Sequence, residues 1–162
     1  MERCRVITVS DRSAAGERPD LSGPALVRDL TAAGYAASLM VVPDGQRNVR
    51  DALRTGLIQG ARVLITTGGT GVGPRDSTPE GTREVIDRLL PGVAELLRAR
   101  GAATSIHASL SRGIVSSTAS SRTTRGAFIA NLPGNPKAAA EGLAVLLPLI
   151  PHVLDQLVGG DH

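Results

Sequence analysis

Residues 67 to 76 read Thr67-Gly68-Gly69-Thr70-Gly71-Val72-Gly73-Pro74-Arg75-Asp76, a segment suited to bringing main chain close to an anion. Its glycines carry no Cβ and accept positive φ, so successive amides can converge on a phosphate. A helix starting just downstream adds the positive end of its dipole. A tight strand-to-helix turn also uses glycine, but one or two suffice for that. The segment is not a P-loop, because GxxxxGK[ST] is absent.

Asp76 follows the glycines directly, where a bare carboxylate repels phosphate. A divalent cation reconciles the two, since Mg²⁺ is a hard ion that joins one or two carboxylates to substrate phosphates. Asp44, in Pro43-Asp44-Gly45, is a second candidate ligand; the same tripeptide also reads as a plain turn. Lys137 stands out because the chain's 18 basic residues comprise 17 Arg and this one Lys. It falls in the first turn of a predicted helix, where a cation opposes the dipole unless an anion sits nearby. Ser10-Asp11-Arg12 and Ser111-Arg112 are polar loop pairs that could touch a ligand or simply face solvent. His107, His152 and His162 show no metal-ligand spacing, and neither GxSxG nor HExxH occurs. Cys4 is the only cysteine, which excludes an internal disulfide and a CxxC site.

These residues need a scaffold, and the composition bounds it. A length of 162 residues fits a single domain spanning 1–162 with a core of its own. With one Tyr, one Phe and no Trp, that core must rest on Val, Leu, Ile and Ala. Scarce aromatics and scattered arginines at net charge +3 argue against a nucleic-acid partner, which calls for stacking platforms or a basic stripe. Met1 to Ser10 does not resemble a signal peptide, and the apolar run 142–151 is too short for a bilayer. A cytoplasmic protein without membrane contact is expected.

Apolar periodicity alternates between strand and helix, which predicts an α/β fold, three layers deep, with a mainly parallel sheet. Strands are expected at Arg5–Ser10, Ser38–Val42, Arg62–Thr66 and Ala127–Asn131. Helices are expected at Pro24–Ala33, around Val49–Leu57, at Pro79–Leu89, at Gly92–Arg100 and at Pro136–Leu157. Strand ends feed helix starts at Ser22-Gly23-Pro24, at Thr78-Pro79-Glu80, and at Leu132-Pro133-Gly134 followed by Asn135-Pro136-Lys137. In a parallel sheet those ends share one edge, where open α/β folds bind ligands.

Thr66 to Gly71, Pro74 to Glu80 and Leu132 to Lys137 together resemble the molybdopterin adenylyltransferase family. Ser10-Asp11-Arg12, Asp20 to Pro24, Pro43-Asp44 and Leu110-Ser111-Arg112 extend the match in order along nearly the whole chain. The resemblance implies Mg²⁺-dependent transfer of AMP from ATP to molybdopterin in molybdenum-cofactor synthesis. It implies Asp44 and Asp76 as catalytic residues and metal ligands. Ser10, Asp11, Ser22, Gly23, Gly68, Gly69, Thr70, Gly71, Arg75, Ser111, Arg112, Pro133, Gly134, Asn135 and Lys137 would bind nucleotide or pterin. It further implies a homotrimer, with the molybdenum-insertion protein of the same pathway as a partner. A non-catalytic molybdopterin-binding paralogue is the alternative. Two stretches depart from the family pattern: Ser105-Ile106 stands where Thr-Pro is common, and Ser116 to Arg125 is long and rich in Ser and Thr.

Overall fold

The computed structural model describes residues 1–160, and strand and helix alternate along it. The strands are β1 (Arg3–Val9), β2 (Ala36–Val42), β3 (Val63–Thr67), β4 (Arg88–Leu89), β5 (Val115–Ser117) and β6 (Phe128–Leu132). The helices are α1 (Asp11–Ala14), α2 (Ser22–Ala32), α3 (Gln46–Ile58), α4 (Thr78–Arg83), α5 (Pro91–Ala102), α6 (Pro136–Leu146) and α7 (Ile150–Gln156), with a 3₁₀ turn at Ile106–Leu110.

The six strands form one sheet in the order β2-β1-β3-β6-β5-β4. The first four of that order run parallel, and β5 pairs antiparallel with both β6 and β4. Every residue of β3 and β6 is buried, as central strands covered on both faces require. Alternation then divides the core in two. Val6, Val63, Ile65, Phe128 and Ala130 pack with Leu26 and Leu30 of α2 and Leu143 and Leu146 of α6. Ile7, Val9, Leu64 and Ile129 point the other way, onto Val49 and Leu53 of α3. The result is the three-layer α/β architecture with a mainly parallel sheet.

Two predicted elements differ, and one edge of the sheet is additional. The helix expected over Pro79–Leu89 ends at Arg83, and Arg88–Leu89 becomes an edge strand. Its partner β5 has only three residues, too few for a periodicity to register, so the antiparallel edge was not foreseen. The long terminal helix breaks into α6 and α7, inclined by 51°. Pro148 lies at the break, where it lacks an amide and its ring crowds the preceding turn. The Ser/Thr-rich stretch is the β5–β6 connection. A Ser120–Arg125 bridge closes it, and the Ser121 hydroxyl accepts the amides of Thr123 and Thr124 at 3.2 and 3.1 Å. Among the described residues no single helix is long and apolar enough to cross a membrane.

Candidate functional site

The loops after β1, β2, β3 and β6 meet at one edge of the sheet and enclose a cleft of about 380 Å³. Ser10, Ser22, Asp44, Gly68, Gly69, Asp76, Gly134 and Asn135 line it, so eight of the expected site residues converge there. Thr67, the first residue of the anion-binding segment, also lines it, as do Thr8, Ser13, Arg18 and Asp20, to which sequence reasoning assigned no site role. Asp20 had a signal, since it stands two residues before Ser22 at a helix start. Its carboxylate accepts the Thr8 hydroxyl at 2.7 Å and the Gly23 amide at 3.0 Å, which caps α2.

The glycines have two distinct uses. Gly68 and Gly69 take positive φ, +101° and +66°, and both lie against neighbouring loops. A Cβ on Gly68 would stand 2.3 Å from the Val9 carbonyl oxygen, and one on Gly69 would stand 2.3 Å from the Thr78 hydroxyl. Gly71 and Gly73 do not take positive φ, contrary to expectation. They make room for Asp76 instead: a Cβ on either would fall 2.8 or 2.9 Å from its Oδ2. That oxygen accepts the Gly73 amide at 2.9 Å, and the Asp76 amide donates back to the Gly73 carbonyl at 3.1 Å. Among the described residues the amides of Gly69, Thr70 and Gly71 donate to no group of the chain, which leaves them for an anion.

Asp44 and Asp11 interlock. The Asp11 amide donates to Asp44 Oδ2 at 2.9 Å, and the Asp44 amide donates to Asp11 Oδ1 at 3.1 Å. Arg75 covers Asp11 with two hydrogen bonds, of 3.1 and 3.0 Å, and reaches the Asp44 carbonyl at 3.0 Å. Arg75 thus holds the Asp11 carboxyl below the usual carboxylate range. Partial burial pushes the Asp44 carboxyl above it, and the charges of Asp11 and Asp76 push the same way. Of these two, Asp44 is the carboxylate whose ionised form is the less well compensated.

Among the described residues the Oδ1 atoms of Asp44 and Asp76 accept no hydrogen bond. Two carboxylates with one free oxygen each fit Mg²⁺, which keeps several waters and takes the rest of its shell from substrate phosphates. Among the described residues no group of three or more His, Cys, Asp or Glu side chains could hold a metal by itself. His162 lies outside the described residues.

In the loop after β6, Gly134 and Asn135 line the cleft, whereas Pro133 and Lys137 sit outside the lining, as do Gly23, Thr70, Ser111 and Arg112. Asn135 caps α6 by accepting the Ala138 amide at 3.0 Å. Lys137 is exposed in the first turn of α6 and has no hydrogen bond or ion pair among the described residues. Pro133 offers its carbonyl to the Thr67 hydroxyl at 2.7 Å, and Gly134 packs against Gly68. Gly23 and Thr70 are buried in the loop walls. Ser111 lies away from the cleft, its hydroxyl accepting the Gly113 amide at 3.2 Å. Arg112 is likewise outside the lining, and its guanidinium faces the back of the glycine-rich loop.

A family model described as a probable molybdopterin binding domain matches residues 5–152. The molybdenum cofactor biosynthesis bifunctional protein of Synechococcus elongatus is 39% identical over 158 residues, covering 97% of this chain but 48% of that protein. The chain thus spans about half the length of that relative. The molybdopterin adenylyltransferase of Pyrococcus furiosus is 34% identical over 153 residues, covering 92% of this chain and 87% of that one. The solved structure of the tungsten cofactor synthesizing protein MoaB from Pyrococcus furiosus superposes with a TM-score of 0.89 at 31% identity, covering 98% of both chains. With its sheet-edge cleft, paired aspartates and glycine-rich loop, the chain belongs to the molybdopterin-binding-domain family of molybdenum-cofactor biosynthesis, that of the molybdopterin adenylyltransferases.

Proposed function

We propose that the chain transfers AMP from ATP to molybdopterin, releasing pyrophosphate. An oxygen of the pterin's terminal phosphate attacks the α-phosphorus of ATP. The bond from that phosphorus to the β-phosphate bridging oxygen breaks, and pyrophosphate leaves with its electron pair. A phosphate nucleophile is already anionic and needs no strong protein base, which suits a cleft lined by no histidine. Such transfer rests on positioning and charge neutralisation.

The observation that carries this reading is the pairing of Asp44 and Asp76, each with a free Oδ1, across a cleft whose glycine-loop amides are unpaired. Mg²⁺ held there would neutralise the phosphates of the nucleotide. The amides of Gly69 to Gly71 would bind one phosphate, and Lys137 with the capped start of α6 would attract another. Relatives named molybdopterin adenylyltransferase support the choice of substrate.

The same reading carries a homotrimer, a single functional unit over 1–162 and a cytoplasmic location as proposals. The bifunctional name of the Synechococcus relative supports a partner from the same pathway, with molybdenum insertion the expected activity. The test is incubation of the chain with molybdopterin, ATP and Mg²⁺, measuring pyrophosphate and adenylylated pterin. Both products should appear in equal amounts and disappear with EDTA. Pterin binding without pyrophosphate release would instead make the chain a non-catalytic binder.

A further inference from the structure

Arg112 reaches the glycine-rich loop from a segment that begins beyond the 3₁₀ turn, more than 35 residues further along the chain. Its amide donates to the Thr70 carbonyl at 2.8 Å. Its Nε donates to the Gly71 carbonyl and its Nη2 to the Asp76 carbonyl, both at 2.8 Å. Its Nη1 donates to Oε1 of Glu80, in the first turn of α4. One residue therefore grips the loop within its glycines and after them, and ties it to the helix that follows.

Glu80 serves this grip. Its Oε1 accepts Arg112, while its Oε2 is buried with no hydrogen-bond partner. An unpaired buried carboxylate oxygen carries a desolvation cost that the charge-assisted bond to Arg112 offsets. The guanidinium also holds the Glu80 carboxyl below its usual range, the sign of a pair that is ionised in the folded chain.

The loop's ends are tied through Gly68 to Leu132 and through Thr78 to Gly68 and Gly69, and the Arg75 side chain reaches Asp11 and Asp44. Among the described residues, however, the main chain from Thr70 to Asp76 is tied to another segment only by Arg112. Asp76 bonds only within its own turn, through its amide and Oδ2 to Gly73, apart from the carbonyl that Arg112 takes. Glycine-rich backbone is the least restrained by its own side chains, so an external clamp decides where it rests. The planar guanidinium fork can satisfy several carbonyls at fixed angles; a lysine ammonium, a point charge on a flexible stem, cannot.

We propose that Arg112 is a positioning residue: anchored by Glu80, it holds the main chain of the glycine-rich loop so that the Asp76 carboxylate faces the nucleotide cleft. Arg112 then acts on the reaction through Asp76 and touches no substrate. The inference rests on the adenylyl-transfer reading for its consequence on turnover, but its structural half stands apart.

The test compares wild type with Arg112→Lys and Glu80→Gln, by amide hydrogen exchange of the ligand-free chain and by steady-state kinetics. In both variants the amides of Gly73, Asp76 and Thr78 should exchange about tenfold faster or more, with β3 and α6 unchanged. The Mg²⁺ concentration for half-maximal rate should rise several-fold and kcat should fall by about tenfold, while KM for molybdopterin stays within about twofold. Arg112→Lys should show the larger effects. Loop exchange at the wild-type rate would overturn the proposal. So would a raised KM for molybdopterin with the loop still protected, because Arg112 would then be a ligand contact. If Arg112→Lys does not fold, Glu80→Gln decides by the same criteria. If wild type itself transfers no AMP, the functional reading falls, and the exchange measurement still decides whether Arg112 holds the loop.

Discussion

Asp11 and Asp44 each accept the other's main-chain amide, at 3.1 and 2.9 Å, so two like charges are held side by side at the rim of the cleft. Arg75 pairs directly with only one of these carboxylates, bonding Asp11 through two hydrogen bonds. The arrangement leaves Asp44 with the raised carboxyl and a free oxygen, which under the proposed function suits it, of the two, to hold a cation.

That asymmetry predicts a pH effect. Because Asp44 is held above the ordinary carboxylate range, it protonates at a higher pH than a free aspartate and loses its ligand oxygen there. Asp11→Asn removes a like charge and frees Arg75, and both changes favour the ionised form of Asp44. The acid limb of the rate at fixed Mg²⁺ should therefore move to lower pH in Asp11→Asn. An unmoved limb would assign it to another group.

The same shift has a stability consequence. A carboxyl whose folded pKa is raised destabilises the fold when ionised, and that penalty is relieved as pH falls through the folded value. Asp44→Asn should thus raise Tm at pH 7, by about 1–2 °C once screening at this half-exposed site is discounted. The gain should vanish in acid, where wild type protonates as well, and AMP transfer should be lost throughout. Calorimetry at two pH values checks the sign.

Asp76→Asn should reduce turnover by about 10²-fold or more while leaving the chain folded. The asparagine oxygen can still accept the Gly73 amide, so loop geometry survives while the charge does not. Retention of full activity, measured as pyrophosphate release, would remove Asp76 from the mechanism.

Two glycine variants should separate folding from chemistry. Gly69→Ala places a Cβ 2.3 Å from the Thr78 hydroxyl at a φ of +66°, and should cost about 1–3 kcal/mol of stability. Gly71→Ala meets only the movable end of Asp76, at 2.8 Å, with no positive φ. It should leave stability within about 0.5 kcal/mol but cut turnover about tenfold by displacing the carboxylate. Denaturant melts beside kinetics decide; equal behaviour of the two would remove the distinction.

Lys137→Ala should weaken nucleotide or pterin binding by about three- to tenfold, since this exposed ammonium at a helix start has no partner among the described residues and a ligand anion would supply one. Titration calorimetry showing an unchanged Kd would return Lys137 to an ordinary surface residue.

Most of the parallel half of the fold was legible because its strands and helices are long enough to repeat their periodicity. The Val-Leu-Ile run that opens β3, the alternating cores around Leu26, Leu30, Val49 and Leu53, and the Pro-marked starts of α4 and α6 are all local patterns. The antiparallel edge was not legible. Arg88-Leu89 and Val115 to Ser117 become strands only because β6 offers a free side, and no local pattern announces that.

For the site, sequence determined residue types and loop placement. Asp44, Asp76, the glycines and Asn135 could be assigned to strand ends because connectivity in a parallel sheet brings those ends to one edge. Their division of labour was decided by tertiary contacts. Only packing shows that Gly68 and Gly69 serve loop approach while Gly71 and Gly73 clear space for Asp76. Arg75 bonds Asp11 and Arg112 bonds the loop, because each finds carboxylates and carbonyls from distant segments within reach. A side chain's chemistry is written in its residue type; its partner depends on distances between segments remote in sequence, which arise only when the chain folds.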